Sequence, residues 1–169
     1  QWIEQRRLSL VYPNPEPPYG VENGRWIEIN LFEQTIAVYN DHKMVYASLV
    51  TTGSAEFFTR PGLFQIWIKL ATTSMRGGDE GDEYWLEDVL WTMYFDDARG
   101  LHAEYWHDHL GYRSSHGCVN LAFADADWLF EWADVGDWVY VWDPSGLTPV
   151  EPYLFTHLIP PPMPRAFDT

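Results

Sequence analysis

Proline decides where this chain can form regular structure. Four prolines fall between Pro13 and Pro18, in YPNPEPPYG, and seven between Pro144 and Pro164, a block that includes IPPPMP. Proline lacks an amide donor and holds φ near about −65°, so neither block can be a helix interior or a central strand. Regular structure is thereby confined to about residues 24–143, enough for one domain with its own core. Residues 1–23 read equally as an extended arm or a linker remnant, and 144–169 as a Pro-rich C-terminal extension. The first residue is Gln1 rather than Met and no signal peptide opens the chain, so the numbering is expected to begin inside a longer precursor.

Between the proline blocks the hydrophobic period is mostly two. In RWIEINL, Ile27, Ile29 and Leu31 alternate with Trp26, Glu28 and Asn30. QTIAVYN alternates again through Ile36 and Val38, and the polar NDHK turns the chain into MVYASLVTT. Residues 25–52 therefore predict an antiparallel meander. GLFQIWIK and VLWTMYF predict further strands, DDARG a turn back into LHAEYW, and VGDWVYVW a last strand. The glycine-rich, acidic MRGGDEGDEY predicts a mobile surface loop. One helix is predicted in AFADADWLFEWA, where Phe123, Ala126, Leu129, Phe130 and Ala133 recur at helical spacing and Asp125 and Asp127 occupy the first turn. The sum is a mainly β domain with one principal helix placed directly after the segment SSHGCVNL.

Charge removes several function classes. The net charge is −15 with no basic stripe, which argues against nucleic acid and against an anionic membrane surface. No apolar run is long enough to span a membrane. A single cysteine, Cys118, can form neither an internal disulfide nor a multi-thiolate zinc site. An aromatic content of 17% excludes a disordered chain.

Cys118 is the residue with chemistry to offer. A lone cysteine is more often inert and buried than nucleophilic. Gly117 beside it permits close backbone approach to a substrate, and the amides of Gly117 and Cys118 can face the oxygen of a tetrahedral intermediate. A loop feeding a helix N-terminus would also favour a thiolate. For a base, His116 stands two residues away, where side chains usually diverge, and His102 stands at the end of a predicted strand, sixteen residues before Cys118. That position makes His102 the better general-base candidate. HAEYWHDH also groups His102, His107 and His109 with Glu104 and Asp108 as conceivable metal ligands, but at a spacing that fits no helical His pair.

His102, the sixteen-residue interval and SHGCVN together resemble the signature of the L,D-transpeptidase (YkuD-type) catalytic domain. IEINLFEQTIAVYNDHKMVYASLVTTG, ending in Thr52-Gly53, is similar to the family's opening strands. TRPGLFQI is similar to its Thr-Pro-x-Gly-x-Phe segment, and DADWLFEWADVGDWVYV to its closing helix and strand. The resemblance covers roughly residues 25–142 and implies a YkuD-like antiparallel β-sandwich. It also implies that Cys118 is the nucleophile, that His102 moves the proton, and that the carbonyl of Ala103 holds the His102 ring. His116 and Gly117 would shape the catalytic loop, with backbone donors at 117 and 118 forming an oxyanion hole. Ser115, Asn120, Trp106 and Tyr94 fall on the substrate side. Three positions depart from the family's usual pattern: Ala103 for glycine or serine, the proline of TRPG one residue late, and Asn120 where many relatives carry arginine.

The implied substrates are peptidoglycan stem peptides, as donor and acceptor, with 3→3 crosslinking through a thioester. Water as acceptor would give an L,D-carboxypeptidase instead. No cofactor and no metal is implied, carbapenems are the implied inhibitors, and the implied location is the cell envelope, outside the cytoplasm. The chain contains no phosphate-binding glycine loop, in keeping with an energy source held in the thioester. A non-catalytic glycan-binding module is the alternative, using Trp85, Trp91, Trp106, Trp128, Trp132 and Trp142 as sugar platforms. Most of those recur at strand or helix spacing, which favours core packing. Papain-like and NlpC-type enzymes place the cysteine before the histidine, and sortases need a later arginine where only Arg165 exists.

Overall fold

A computed structural model describes residues 8–78, 81, 83–107 and 109–150. Its strands are β1 (Trp26–Asn30), β2 (Thr35–Asn40), β3 (Lys43–Gly53), β4 (Gly62–Gln65), β5 (Ile68–Gly77), β6 (Tyr84–Asp96), β7 (Arg99–Ala103), β8 (Arg113–Ser115), β9 (Val119–Leu121) and β10 (Trp138–Trp142). One helix, α1 (Phe123–Trp132), lies between β9 and β10. The domain is mainly β, with the strand order β4-β10-β1-β2-β3-β9-β7-β6-β5 and β8 paired to β3.

The predicted meander is present as β1-β2-β3, antiparallel throughout. Its second turn explains the polar NDHK. Asp41 and His42 both take positive φ, 50° and 59°, the conformation a two-residue hairpin turn needs to match strand twist. GLFQIWIK is a single extended run that changes partners midway. The Ile66 amide donates to the Asp137 carbonyl and the Trp67 amide to the Tyr94 carbonyl, both at 2.9 Å. β4 therefore pairs β10 while β5 pairs β6, and the two ends of the strand order are two residues apart in sequence. That continuity curls the sheet around its core. Three pairings are parallel, β1/β10, β3/β8 and β7/β9, and in the last the 104–118 segment returns the chain so that β9 runs in the same direction as β7.

Ile27, Ile29, Val38, Leu101, Val119, Leu121 and Val141 form the core with Ala126, Leu129 and Ala133 of the helix segment. Each fully buried aliphatic side chain contributes roughly 1.5–3 kcal/mol relative to exposure. Phe123 departs from the expected helix face: it is 53% exposed and meets Trp91 edge-on at 4.5 Å. Trp91, Trp128 and Trp132 pack against the core, which removes them as sugar platforms. α1 has no side-chain N-cap, and its Asp125 instead accepts from Tyr46 and Ser48 of β3. Lys69 donates to the carbonyl of Phe130 at 2.6 Å, satisfying a group the helix end leaves open.

The described parts of both proline-rich flanks lie on the domain. The Asn14 amide donates to the Tyr39 hydroxyl at 3.0 Å, and Val21 joins a second buried cluster with Trp26 and Tyr39. After β10, Asp143 accepts from Thr148 and from Arg113 of β8. Residues 1–7 and 151–169 of the two flanks lie outside the described residues. In MRGGDEGDEY, Met75 to Gly77 finish β5 and Tyr84 opens β6, so the ends of the expected loop are a hairpin paired at Gly77 and Tyr84. Asp79, Glu80 and Asp82 lie outside the described residues.

Candidate active site

The parallel pair β7/β9 builds the site. Its register sets Leu101 opposite Val119 and His102 opposite Asn120. Alternate strand residues share a face, so Cys118, just before β9, falls on the same side as Asn120 and His102. All three line a pocket of about 370 Å³, walled also by Met75, Tyr84, Leu86, Trp106, Ser115 and His116.

His102 is buried, 2% exposed, and its Nδ1–H donates to the carbonyl oxygen of Ala103 at 2.9 Å. That bond places the proton on Nδ1 and leaves Nε2 as the basic nitrogen. Burial lowers the imidazole pKa to about 4, partly opposed by the Ala103 bond. His102 is therefore neutral at physiological pH. Burial also pushes the Cys118 thiol up, while the Gly100 amide and the Arg99 guanidinium draw it back. At rest the two groups are a thiol and a neutral imidazole.

The loop that carries Cys118 is tied on both sides. Ser115 Oγ donates to the Cys118 carbonyl at 2.6 Å and accepts from the Gly117 amide at 3.1 Å. Thr59 Oγ1 donates to the Gly117 carbonyl at 2.8 Å and accepts from the Gly53 amide at 2.9 Å. Gly117 has φ +112°, a conformation that L side chains rarely adopt. These bonds alter two expectations. The Gly117 amide is engaged by Ser115, so the Cys118 amide is the remaining donor of the expected backbone pair. β9 separates the cysteine from α1, so the helix N-terminus is not what adjusts the thiol.

The remaining expected residues divide. His116 lines the same pocket as Cys118, and its ring meets those of Phe57 and Tyr84, each with centroids at 4.7 Å. Trp106 stands with its ring centroid 5.7 Å from that of His102, as a wall of the pocket. Tyr94 is not among the pocket's lining residues, but its pKa is raised by burial and by Cys118, which lies close to it; it stacks on Trp67 at 5.7 Å and faces Gly100 in register. Tyr84 takes that place, its phenol kept protonated by burial and by the nearby Cys118. Tyr84, Thr59 and Arg99 are site residues the sequence reading missed. Only Thr59 had a signal, as the threonine of TRPG. His107 and His109 stack at 5.5 Å, His107 Nδ1 lies 3.2 Å from Glu104 Oε1, and Asp108 lies outside the described residues. Among the described residues no three His, Cys, Asp or Glu side chains are grouped to hold a metal.

The family model of the YkuD L,D-transpeptidase catalytic domain matches residues 24–141, which is more than half of the chain. The chain belongs to this family. An L,D-transpeptidase from Stackebrandtia nassauensis is similar at 30% identity and TM-score 0.61, over 73% of this chain and 57% of that one. The catalytic domain of the Enterococcus faecium L,D-transpeptidase is similar at 27% identity and TM-score 0.64, over 73% of this chain and all of that domain. The protein YciB of Bacillus subtilis (strain 168) is 26% identical over 120 residues, 63% of this chain and 59% of its own length. Apart from that isolated domain, the chain spans about half to three-fifths of these relatives. Two further solved relatives are the Ldtfm-avibactam carbamoyl enzyme, at 26% identity, TM-score 0.66 and 72% and 49% coverage, and LdtMt1 in complex with imipenem, at 22% identity, TM-score 0.66 and 70% and 58% coverage.

Proposed function

We propose that the L,D-transpeptidase domain of this chain is a cysteine acyltransferase that crosslinks peptidoglycan stem peptides. One observation carries the reading: His102 is fixed by the Ala103 carbonyl in the tautomer whose basic nitrogen serves a thiol, and it shares a pocket with Cys118. The donor is a stem peptide cut between its third, L-centred diamino acid and the following D-alanine. Cys118 Sγ loses its proton to His102 Nε2 and forms a bond to the peptide carbonyl carbon. The oxyanion accepts from the Cys118 amide, with the protonated Tyr84 hydroxyl as a second donor at the pocket wall. The C–N bond then breaks, the departing amine takes the proton from His102, and a thioester remains. An amine of a neighbouring stem attacks that thioester and gives a 3→3 crosslink. Water in its place gives the free acid. Such substrates lie in the cell envelope, where the enzyme would work. Among the described residues no helix is long and apolar enough to cross a membrane.

Imipenem supplies the test, since a relative has been solved with it. Wild type should gain the mass of one imipenem, and Cys118→Ala none. Incubation with stem tetrapeptides should then yield crosslinked dimers. Equal adducts on both proteins would reject the nucleophile, and an adduct without dimers would assign the water reaction.

A further inference from the structure

The turn between β6 and β7 forms the floor under Cys118. Cys118 Sγ–H donates to the Ala98 carbonyl at 3.8 Å, and the next residue, Arg99, opens β7. The Arg99 side chain runs behind the catalytic loop. Its Nε is buried without a hydrogen-bond partner, 2.9 Å from where a Cβ on Gly117 would stand. A buried guanidinium nitrogen left without an acceptor is costly and calls for a reason.

The neighbouring acid leaves its charge available. Asp96 is 4% exposed and accepts from Arg60 Nε at 2.8 Å and from Arg60 Nη2. Arg99 Nη1 reaches the same carboxylate only at 3.5 Å. Arg60 thus holds Asp96 as a close two-point pair, and Arg99 is the looser second cation on one anion. Arg60 also meets the exposed Asp97 at 2.8 Å, so both carboxylates turn mainly to Arg60, and the Nε side of Arg99 is left toward the loop at Gly117.

We infer that Arg99 is a positioning residue for the nucleophile, its guanidinium favouring negative charge on Cys118 Sγ as the proton departs. When the S–H bond breaks, the proton goes to His102 Nε2 and the electron pair stays on sulfur to form the S–C bond. Arg99 touches neither substrate nor that proton; it acts through the field behind Gly117. This also gives Gly117 a second purpose, because any side chain there would displace the guanidinium. The inference rests on the cysteine reading proposed above. The other groups facing the sulfur are His102 from β7, Tyr84 and Tyr94 from β6, and His116 from its own loop.

Alkylation of Cys118 by iodoacetamide, followed by intact mass from about pH 7 to pH 11.5, reads thiolate formation without any wall substrate. His102 is neutral across that range and burial holds both tyrosines above their ordinary value, so the midpoint reports the thiol. Arg99→Met should move the midpoint up by about one pH unit, and Arg99→Lys should restore most of it. Arg99→Gln, which keeps a polar stem, serves if the Met variant loses the wild-type circular dichroism spectrum. A neutral variant that folds and alkylates with the wild-type midpoint overturns the inference, as does an Arg99→Lys variant that behaves like Met. Failure of the transpeptidase reading shows separately, as wild-type protein that alkylates but takes up no imipenem.

Discussion

His102 and Asn120 stand abreast on β7 and β9, both 2% exposed, and the Nδ1–H of His102 is answered by the Ala103 carbonyl. Asn120 Oδ1 is buried at the pocket wall with no hydrogen-bond partner. An orphaned buried acceptor destabilises the resting fold and is relieved when a donor arrives. The stem peptide of the proposed reaction would offer such donors in its backbone amides. Asn120→Ala should therefore keep stability within about 1 kcal/mol of wild type or raise it, because the orphan disappears. The second-order rate of thioester formation with a stem peptide should fall roughly ten-fold, the equivalent of one lost hydrogen bond. Urea denaturation beside acylation kinetics checks both halves. Lost stability with unchanged acylation would make Asn120 a core residue only.

The depressed pKa of His102 sets an unusual acid limb. A base must be neutral to accept a proton, and His102 titrates at about 4 rather than at 6.5. Imipenem acylation should stay level as pH falls through 6 and decline only near pH 4. His102→Ala should cost about 10²–10⁴-fold in rate at every pH. An acid limb centred near 6.5 would show that another, exposed histidine is the base.

Much of this site was legible because its chemistry is local in sequence. Cys118, Gly117 and Ser115 are adjacent, and the interval to His102 spans one return between neighbouring parallel strands. The alternation in RWIEINL and QTIAVYN revealed the meander for the same reason, since each strand pairs with its sequence neighbour. What was hidden depends on distant pairing. Arg99 reaches the loop because β7 lies beside β9, and Thr59 because the segment after β3 folds back onto Gly53 and Gly117. Tyr84 and Tyr94 are indistinguishable as tyrosines on one strand. The β5–β6 hairpin decides which of them faces the pocket.

Thr59 makes a prediction of that hidden kind. Its hydroxyl bridges the Gly53 amide and the Gly117 carbonyl and is 1% exposed. Thr59→Val keeps the shape and removes both bonds, leaving two buried backbone groups unpaired. The expected loss is about 2–4 kcal/mol in urea denaturation, together with slower acylation of Cys118. Thr59→Ser should recover most of both. A Val variant as stable and as fast as wild type would show that the bridge carries no constraint.

Acid stability should separate two buried groups by their pH windows. For His102, folding holds the neutral form, so between pH 6.5 and about 4 the unfolded chain binds a proton that the native one does not. Stability should fall across that window as pH drops, by about 3 kcal/mol. Asp143 has the opposite chemistry and the same sign. Bonds from Ser145, Thr148 and Arg113 outweigh its burial and lower its pKa from 3.8 to about 2. Its contribution is complete above pH 3.8 and disappears as pH falls toward 2. Arg113 is 30% exposed, and solvent screening reduces that contribution to about 1–2 kcal/mol. Asp143→Asn should therefore lower stability at neutral pH and flatten the curve between pH 3.8 and 2, while leaving the slope between 6.5 and 4 untouched. A slope altered in the upper window would mean that the latch formed by Asp143 and Arg113 is coupled to His102, through β8 and the Ser115 loop that follows it.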